Sequence, residues 1–327
     1  MSFWKNLPKP FFALAPMADV TDPAYRRLIA EYKAPDVTWT EFVSADGLYH
    51  MREKAHKPDG ENPLMRDLLY TEAERPIVAQ LFSSRPEMMS YAANLCKELG
   101  FDGVDINMGC PDKSIEKQGC GAAMIKSPEV AKEVIRAAKA AGLPVSVKTR
   151  LGYNAEQIDS WIPHLLAEQP AALTVHLRTR KEMSKVPAHW DLMPRIVALR
   201  DELSPETLII GNGDVKDLED ARAKAAASGC DGVMLGRGIF GTPWLFTGRA
   251  DNDVPPTERI AALQTLATYF GELTPGKSVH ILKKHVKAFI TGWPEAASLR
   301  SRLMETSTLP DFMQVLESAS EPTAAVY

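Results

Sequence analysis

Two kinds of segment alternate along the chain. Short apolar runs rich in β-branched residues occupy positions 11–18, 36–42, 76–82, 103–109, 144–151, 172–179, 207–213 and 232–236, and each has the length and content of a strand. Between them, apolar positions with helical spacing predict helices over 85–99, 128–141, 155–166 and 217–227. Several of these open on Ser, Asn or Asp and close on Gly, as at Gly100 and Gly142. Strand followed by helix, repeated eight times, predicts a parallel (β/α)8 TIM barrel with right-handed connections. Gly100-Phe101-Asp102-Gly103-Val104 and Gly229-Cys230-Asp231-Gly232-Val233 end a helix and start a strand in the same way, so one unit recurs. A doubly wound open sheet competes, but it usually has fewer strands and a Gly-rich first turn, and Ala18-Asp19-Val20-Thr21 has no glycine. After Thr242 only helical signals continue, past a break at Pro255-Pro256, with Ile260, Leu263 and Leu266 in helical register. The expected organisation is therefore a catalytic barrel over 1–250 and a small all-helical C-terminal domain over 257–327.

Strand side chains alternate between faces, so one parity of a barrel strand meets the outer helices and the other fills the interior. In Val145-Ser146-Val147-Lys148-Thr149-Arg150 the inward set is Ser146, Lys148 and Arg150. The same rule sends Thr174, His176 and Arg178 inward, as it does Asp105 and Asn107, and Gln80 with Val78. Polar groups in a barrel interior are costly without partners. These lie near the C-terminal ends of their strands, where barrels carry active sites, so a bound polar ligand accounts for them; a self-satisfied polar network is the alternative. Strands seven and eight end in Gly211-Asn212-Gly213-Asp214 and Gly236-Arg237-Gly238, where glycines let backbone amides approach an anion. A phosphate there and a planar floor of Gln80, Lys148 and His176 point to flavin mononucleotide, FMN.

Composition narrows the picture further. In 327 residues, 45% are hydrophobic and 24% charged, which supplies a large core. The 38 Lys and Arg against 42 Asp and Glu give a charge of -4, so any nucleic-acid contact must be a local patch. No window approaches the roughly 18 apolar residues of a membrane span, and residues 1–10 lack a signal-peptide core, so a cytoplasmic location is expected. The 4 cysteines form no Cys-x-x-Cys pair, and no second Cys or His stands at metal-ligand spacing from Cys110, so no metal is expected. Cys96 and Cys230 read as structural, and Cys120, between two glycines, as part of a turn. Cys110, in the loop over the barrel mouth, is an accessible thiol able to donate a proton or attack as a nucleophile. Proton donation suits hydride delivery from a flavin, because reducing an activated C=C bond needs a proton at the second carbon.

These residues resemble the tRNA dihydrouridine synthases, flavoenzymes that reduce a uridine base in tRNA with NADPH through FMN. The motifs are Ala15-Pro16-Met17, Thr40-Glu41-Phe42-Val43-Ser44-Ala45, Gln80-Leu81-Phe82, Asn107-Met108-Gly109-Cys110-Pro111, Val147-Lys148-Thr149-Arg150, His176-Leu177-Arg178-Thr179-Arg180, Asn212-Gly213-Asp214 and Gly236-Arg237-Gly238. The resemblance implies that Cys110 protonates C5 of uracil while reduced FMN delivers hydride to C6. It further implies that Asn107, Arg178 and Arg180 meet the substrate. Pro16, Met17, Gln80, Lys148 and His176 would line the flavin ring, with Asn212, Gly213, Asp214, Gly236 and Arg237 along the ribityl phosphate. Leu177 departs from the glycine of many members, and the polar stretch 49–75 is longer than expected.

The helical tail resembles the family's RNA-binding domain. Within residues 277–302, Lys277, Lys283, Lys284, Lys287, Arg300 and Arg302 face one acid, Glu295, for a charge of +5. Lys284 and Lys287 share a helical face with His280 adjacent, leaving Ile281, Val286 and Phe289 for a core; a merely solvated face is the alternative. One site per barrel makes a monomer sufficient, with no obligatory protein partner. Alternative readings are another FMN barrel of the dihydroorotate dehydrogenase type, a non-catalytic flavin-binding RNA chaperone, and a phosphate-binding aldolase or isomerase.

Overall fold

The computed structural model describes residues 2–320; the last seven positions of the expected C-terminal domain, 321–327, lie outside them. Eight strands form one parallel sheet: β1 (Phe11–Leu14), β2 (Thr38–Ser44), β3 (Ile77–Phe82), β4 (Gly103–Met108), β5 (Val145–Arg150), β6 (Ala172–His176), β7 (Leu208–Asn212) and β8 (Gly232–Leu235). Each strand pairs with its neighbours in chain order, and β1 pairs with β8. Between β1 and β2 the ring closes through the parallel bridge Ala13 to Val37 and a hydrogen bond from Asp36 N to Phe12 O of 2.9 Å. The TIM-type barrel expected from the alternating pattern is therefore present.

Around the strands run α1 (Pro23–Lys33), α2 (Ala45–Tyr49), α3 (Pro63–Asp67), α4 (Pro86–Glu98), α5 (Lys113–Glu116), α6 (Pro128–Lys139), α7 (Ile158–Leu166), α8 (Met193–Leu203) and α9 (Leu218–Ser228). Four more follow: α10 (Pro256–Leu273), α11 (Lys283–Phe289), α12 (Ala296–Glu305) and α13 (Leu309–Ser320). Local chemistry sets their ends. Asp22 caps α1 by accepting from Tyr25 N at 2.9 Å, with Pro23 in the first turn. Gly229 ends α9 at φ 72°, a left-handed conformation that glycine adopts without a steric penalty. No helix among the described residues is long and apolar enough to cross a membrane.

Two apolar layers hold the barrel. Outward residues such as Val104, Ile106, Val147, Leu173 and Val175 join the helices in one large core. Inside, Phe11, Trp39, Val78, Ile210 and Met234 fill the lower barrel, and Trp4 packs beneath them. Higher up, the interior becomes polar: Gln80 pairs in register with Asp105, Asp105 with Ser146, Asn107 with Lys148, and His176 with Asn212. The inward parity predicted for these strands is the one observed.

The polar stretch 49–75 forms an excursion between β2 and β3, including α3 and a π-helical turn at His50–Lys54. A fully buried ion pair fastens it to the barrel. Arg26 of α1 donates to Glu74 Oε2 at 2.8 Å and to the Thr21 and Leu69 carbonyls at 2.8 and 2.5 Å. The C-terminal helices stack on the same side, with α10 against α1 and the rings of His285 and Phe289 4.5 and 6.3 Å from Tyr25. Glu74→Ala leaves the buried Arg26 guanidinium without its counter-charge. Unfolding free energy from denaturant titration is expected to fall by about 3–5 kcal/mol; a loss below about 1 kcal/mol would show that the pair does not anchor the excursion.

Candidate active site

At the C-terminal mouth of the barrel lies a cleft of about 640 Å³. Pro16 and Met17 line it after β1, Gln80 from β3, Lys148 from β5 and His176 from β6. Asn212, Gly213 and Asp214 line it at the end of β7, and Gly236 and Arg237 at the end of β8. Asn107, Cys110 and Arg178 complete that set. Arg180 does not line the cleft: its guanidinium pairs with Glu116 and lies 5.4 Å from the Tyr153 ring centre. Phe42, Arg150, Ser184 and Lys216 also line the cleft and were not assigned to it from the sequence. Arg150 was signalled by its inward parity. Phe42 was hidden by a register shift between Trp39 and Phe42, which breaks the alternation. Ser184 and Lys216 sit in loops, where no periodicity operates.

The floor is a set of donors whose protonation follows from burial. Lys148 donates to Asn212 Oδ1 at 3.3 Å, while burial and the nearby Arg150 push its pKa down to about 8. His176 Nε2 is 3.1 Å from Arg178 Nη1. A guanidinium can only donate, so this nitrogen accepts and the ring proton is assigned to Nδ1. Burial, then the surrounding cations, hold the His176 pKa well below its usual range, so the ring is neutral. Arg178 also donates to Val186 O at 2.6 Å and pairs with Asp214, so three of its N–H groups serve the scaffold.

Asp214, at φ 47°, accepts from Arg178, from Ala188 N at 2.9 Å and from Arg237 at 2.6 Å. Those partners, Arg178 foremost, keep its carboxyl below the usual range. Asp214 thereby holds Arg237 at the rim of the cleft. Gly213 turns the chain there at φ 126°, where a Cβ would stand 2.8 Å from the Ala188 methyl.

The Cys110 loop is clamped from three sides. Asn107 Oδ1 accepts from Gly109 N at 3.1 Å and Cys110 N at 2.9 Å. Arg150 Nε donates to Gly109 O at 2.7 Å, and Ala122 N to Cys110 O at 2.9 Å. The last approach needs Gly121, since a Cβ there would meet Cys110 O at 2.6 Å. Burial pushes the half-buried Cys110 thiol above its usual range, so it stays protonated at neutral pH. Cys120 is buried against Phe82 and Ile115, while burial pushes Cys96 up to about 12.

Most of the basic tail is engaged within the chain. Lys277 pairs with Asp67 at 2.9 Å and Lys284 with Asp19 at 2.8 Å. Lys283 donates to the Met304 and Thr306 carbonyls at the end of α12, at 2.8 and 2.6 Å. Arg300 donates to Ile290 O at 2.8 Å and Arg302 to Ser318 Oγ at 2.6 Å. Lys287 is the exposed cation of this set with no partner among the described residues.

A family model described as dihydrouridine synthase matches residues 13–324. The chain belongs to the dihydrouridine synthase family. Among its relatives, a probable tRNA-dihydrouridine synthase 2 of Bacillus subtilis (strain 168) is 40% identical over 319 residues, covering 97% of this chain and 96% of that protein. A probable tRNA-dihydrouridine synthase of Staphylococcus aureus (strain COL) is 39% identical over 319 residues, covering 97% and 95%. Among solved structures, a histamine dehydrogenase from Rhizobium sp. 4-9 superposes with a TM-score of 0.51 at 14% identity, over 79% of this chain and 48% of that one. A 2-naphthoyl-CoA reductase gives 0.53 at 10% identity, over 72% and 49%. The chain spans about half the length of those two structures, which share its barrel fold.

Membership makes the chain an oxidoreductase of a flavin-using family, and the cleft fits a flavin: Lys148 has three ammonium hydrogens and a single protein acceptor among the described residues. Its charge should govern flavin retention. Affinity for free flavin nucleotide, followed by fluorescence quenching, is expected to weaken as pH rises through about 8, where Lys148 deprotonates. Lys148→Met should bind roughly ten-fold more weakly below that pH and lose the step. Equal affinity and an unchanged pH profile in the variant would remove Lys148 from the site.

Proposed function

We propose that the cleft binds FMN, takes electrons from NADPH and saturates the C5=C6 bond of uridines in tRNA, with Cys110 supplying the proton to C5. The observation that carries this reading is a half-buried thiol on a clamped loop, at the rim of a cleft floored by donors and cations. Bound FMN would supply the hydride to C6. Gly213, Gly236 and Arg237 would hold its phosphate, and Asn212 its ribityl chain. Gln80, Lys148 and neutral His176 would present donors to the ring, with Pro16 and Met17 against it. Lys148 and Arg150 are the cations nearest Cys110 in effect, each lowering its pKa, so both stabilise the thiolate left after proton transfer.

Asn107 spends its Oδ1 on the loop amides and one Nδ2 hydrogen on Gln80 Oε1 at 3.0 Å. One N–H remains for a carbonyl of the base. Arg178 commits three of its five N–H groups to Val186 O, His176 and Asp214, which leaves two for the substrate. Arg180, outside the cleft, would meet the RNA strand beyond the target base.

The same reading assigns RNA docking to the C-terminal helices and to exposed lysines in the connections after β4 and β6, Lys113, Lys117, Lys181 and Lys185. In the tail, Lys287 is free for phosphate, and Lys277, Lys283, Lys284, Arg300 and Arg302 would reach it only by sharing or exchanging their present partners. The reading takes the enzyme as a cytoplasmic monomer with no obligatory protein partner. Lys287→Ala should reduce the log-log salt slope of tRNA binding by roughly 0.7–0.9, the value of one phosphate contact, while NADPH oxidation persists. An unchanged slope would take Lys287 out of the interface.

The two half-reactions separate the chemistry from the binding. Reduction of the flavin requires no proton at the uracil site, whereas saturation of the base does. Cys110→Ala should keep its colour, its reduction by NADPH and its tRNA affinity, yet form dihydrouridine about 10²-fold more slowly or worse in single turnover of pre-reduced enzyme. Cys120→Ala should be far milder. Near-normal product formation by Cys110→Ala would sink the proposed acid.

A further inference from the structure

Asp105 lies one layer below the cleft lining, on β4, with no exposed surface. Its Oδ1 accepts from Ser146 Oγ at 2.6 Å and its Oδ2 from Gln80 Nε2 at 2.7 Å. Gln80 Oε1 in turn accepts from Asn107 Nδ2 at 3.0 Å, and Asn107 Oδ1 accepts from the backbone N–H groups of Gly109 and Cys110. The chain of bonds has a single sense. Burial raises the Asp105 carboxyl only to about 6, so at neutral pH it is an acceptor alone, and Gln80 must turn its NH2 toward Asp105 and its oxygen toward Asn107. Asn107 must then turn its NH2 toward Gln80, which leaves its oxygen for the loop that carries the thiol. Reversing either amide would set oxygen against oxygen, or N–H against N–H, in a buried site.

We propose that Asp105 is a positioning residue that sets the orientation of the Gln80 and Asn107 amides and, through Asn107, the seat of Cys110. Asp105 touches neither ligand nor reacting atoms and acts only through this relay. The proposal rests on the reading of Cys110 and Asn107 given above, but its central test does not require turnover.

Three variants decide it. Asp105→Leu keeps the volume and removes the acceptor at the foot of the relay, leaving Gln80 Nε2 and Ser146 Oγ without their partner. Single-turnover dihydrouridine formation should fall at least about ten-fold, as expected when a buried polar group loses its partner, and iodoacetamide should alkylate Cys110, the half-buried thiol, faster than in the wild type. Asn107→Asp places a second acceptor-only group opposite Gln80, so that Gln80 Oε1 faces a carboxylate whichever way the amide turns. Its thermal midpoint should drop and Cys110 alkylation should rise about ten-fold.

Adding Asp105→Asn to Asn107→Asp moves the charge to the other end of the relay. The residue at 105 can then donate to a reversed Gln80, and the one at 107 accepts from Gln80 and from the loop amides, so every donor again meets an acceptor. The double variant should recover its thermal midpoint and bring alkylation to within about three-fold of wild type. Effects of the two substitutions that simply multiply, with no recovery, would overturn the relay, as would wild-type turnover and alkylation in Asp105→Leu. If Asp105→Leu does not fold, the double variant still decides. Recovery in a protein whose wild type forms no dihydrouridine would leave the relay standing and refute the proposed function instead.

Discussion

Closing eight parallel strands into a ring leaves half of their side chains no place but the interior, and this constraint governs both stability and site. In the lower barrel the space is filled by Phe11, Trp39, Val78, Ile210 and Met234. Above that layer the same parity carries Gln80, Asp105, Asn107, Ser146, Lys148 and His176. Strand pairing fixes their heights and alternation fixes their direction, so a polar floor is delivered to the barrel mouth by the backbone itself. The loops need only supply the rim.

Electrostatics then decide what the floor can do. Lys148, Arg150 and Arg237 face the cleft, with Asp214 holding Arg237 at one edge. Burial penalises charge, so His176 is neutral and Cys110 keeps its proton. Cations at the rim beside a thiol that keeps its proton are what the proposed reaction asks of the site.

The C-terminal helices show why charge counted along a chain is a weak guide to a surface. The cations that make residues 277–302 strongly basic in sequence meet Asp67, Asp19 and the carbonyl ends of neighbouring segments in the fold. Lys277 and Lys284 join these helices to the excursion after β2 and to the turn after β1. Lys277 and Lys284 therefore serve the seam between the helices and the barrel, while Lys283, Arg300 and Arg302 hold the helices to one another.

The sequence by itself determined the strand and helix repeat, the inward parity and most of the residues that line the cleft, because each is a property of spacing along one strand or one turn. It also carried the family, since motifs such as Asn107-Met108-Gly109-Cys110-Pro111 keep their order. Phe42 escaped because a bulge broke the period on which the reading relied. The proton of His176, the engagement of Arg178 and the separation of Arg180 from the cleft depend on Asp214, Val186 and Glu116, all supplied by other segments. So does the single sense of the relay from Asp105 to the Cys110 loop. Hydrogen-bond direction and burial are relations between segments, and they exist only once the ring has closed.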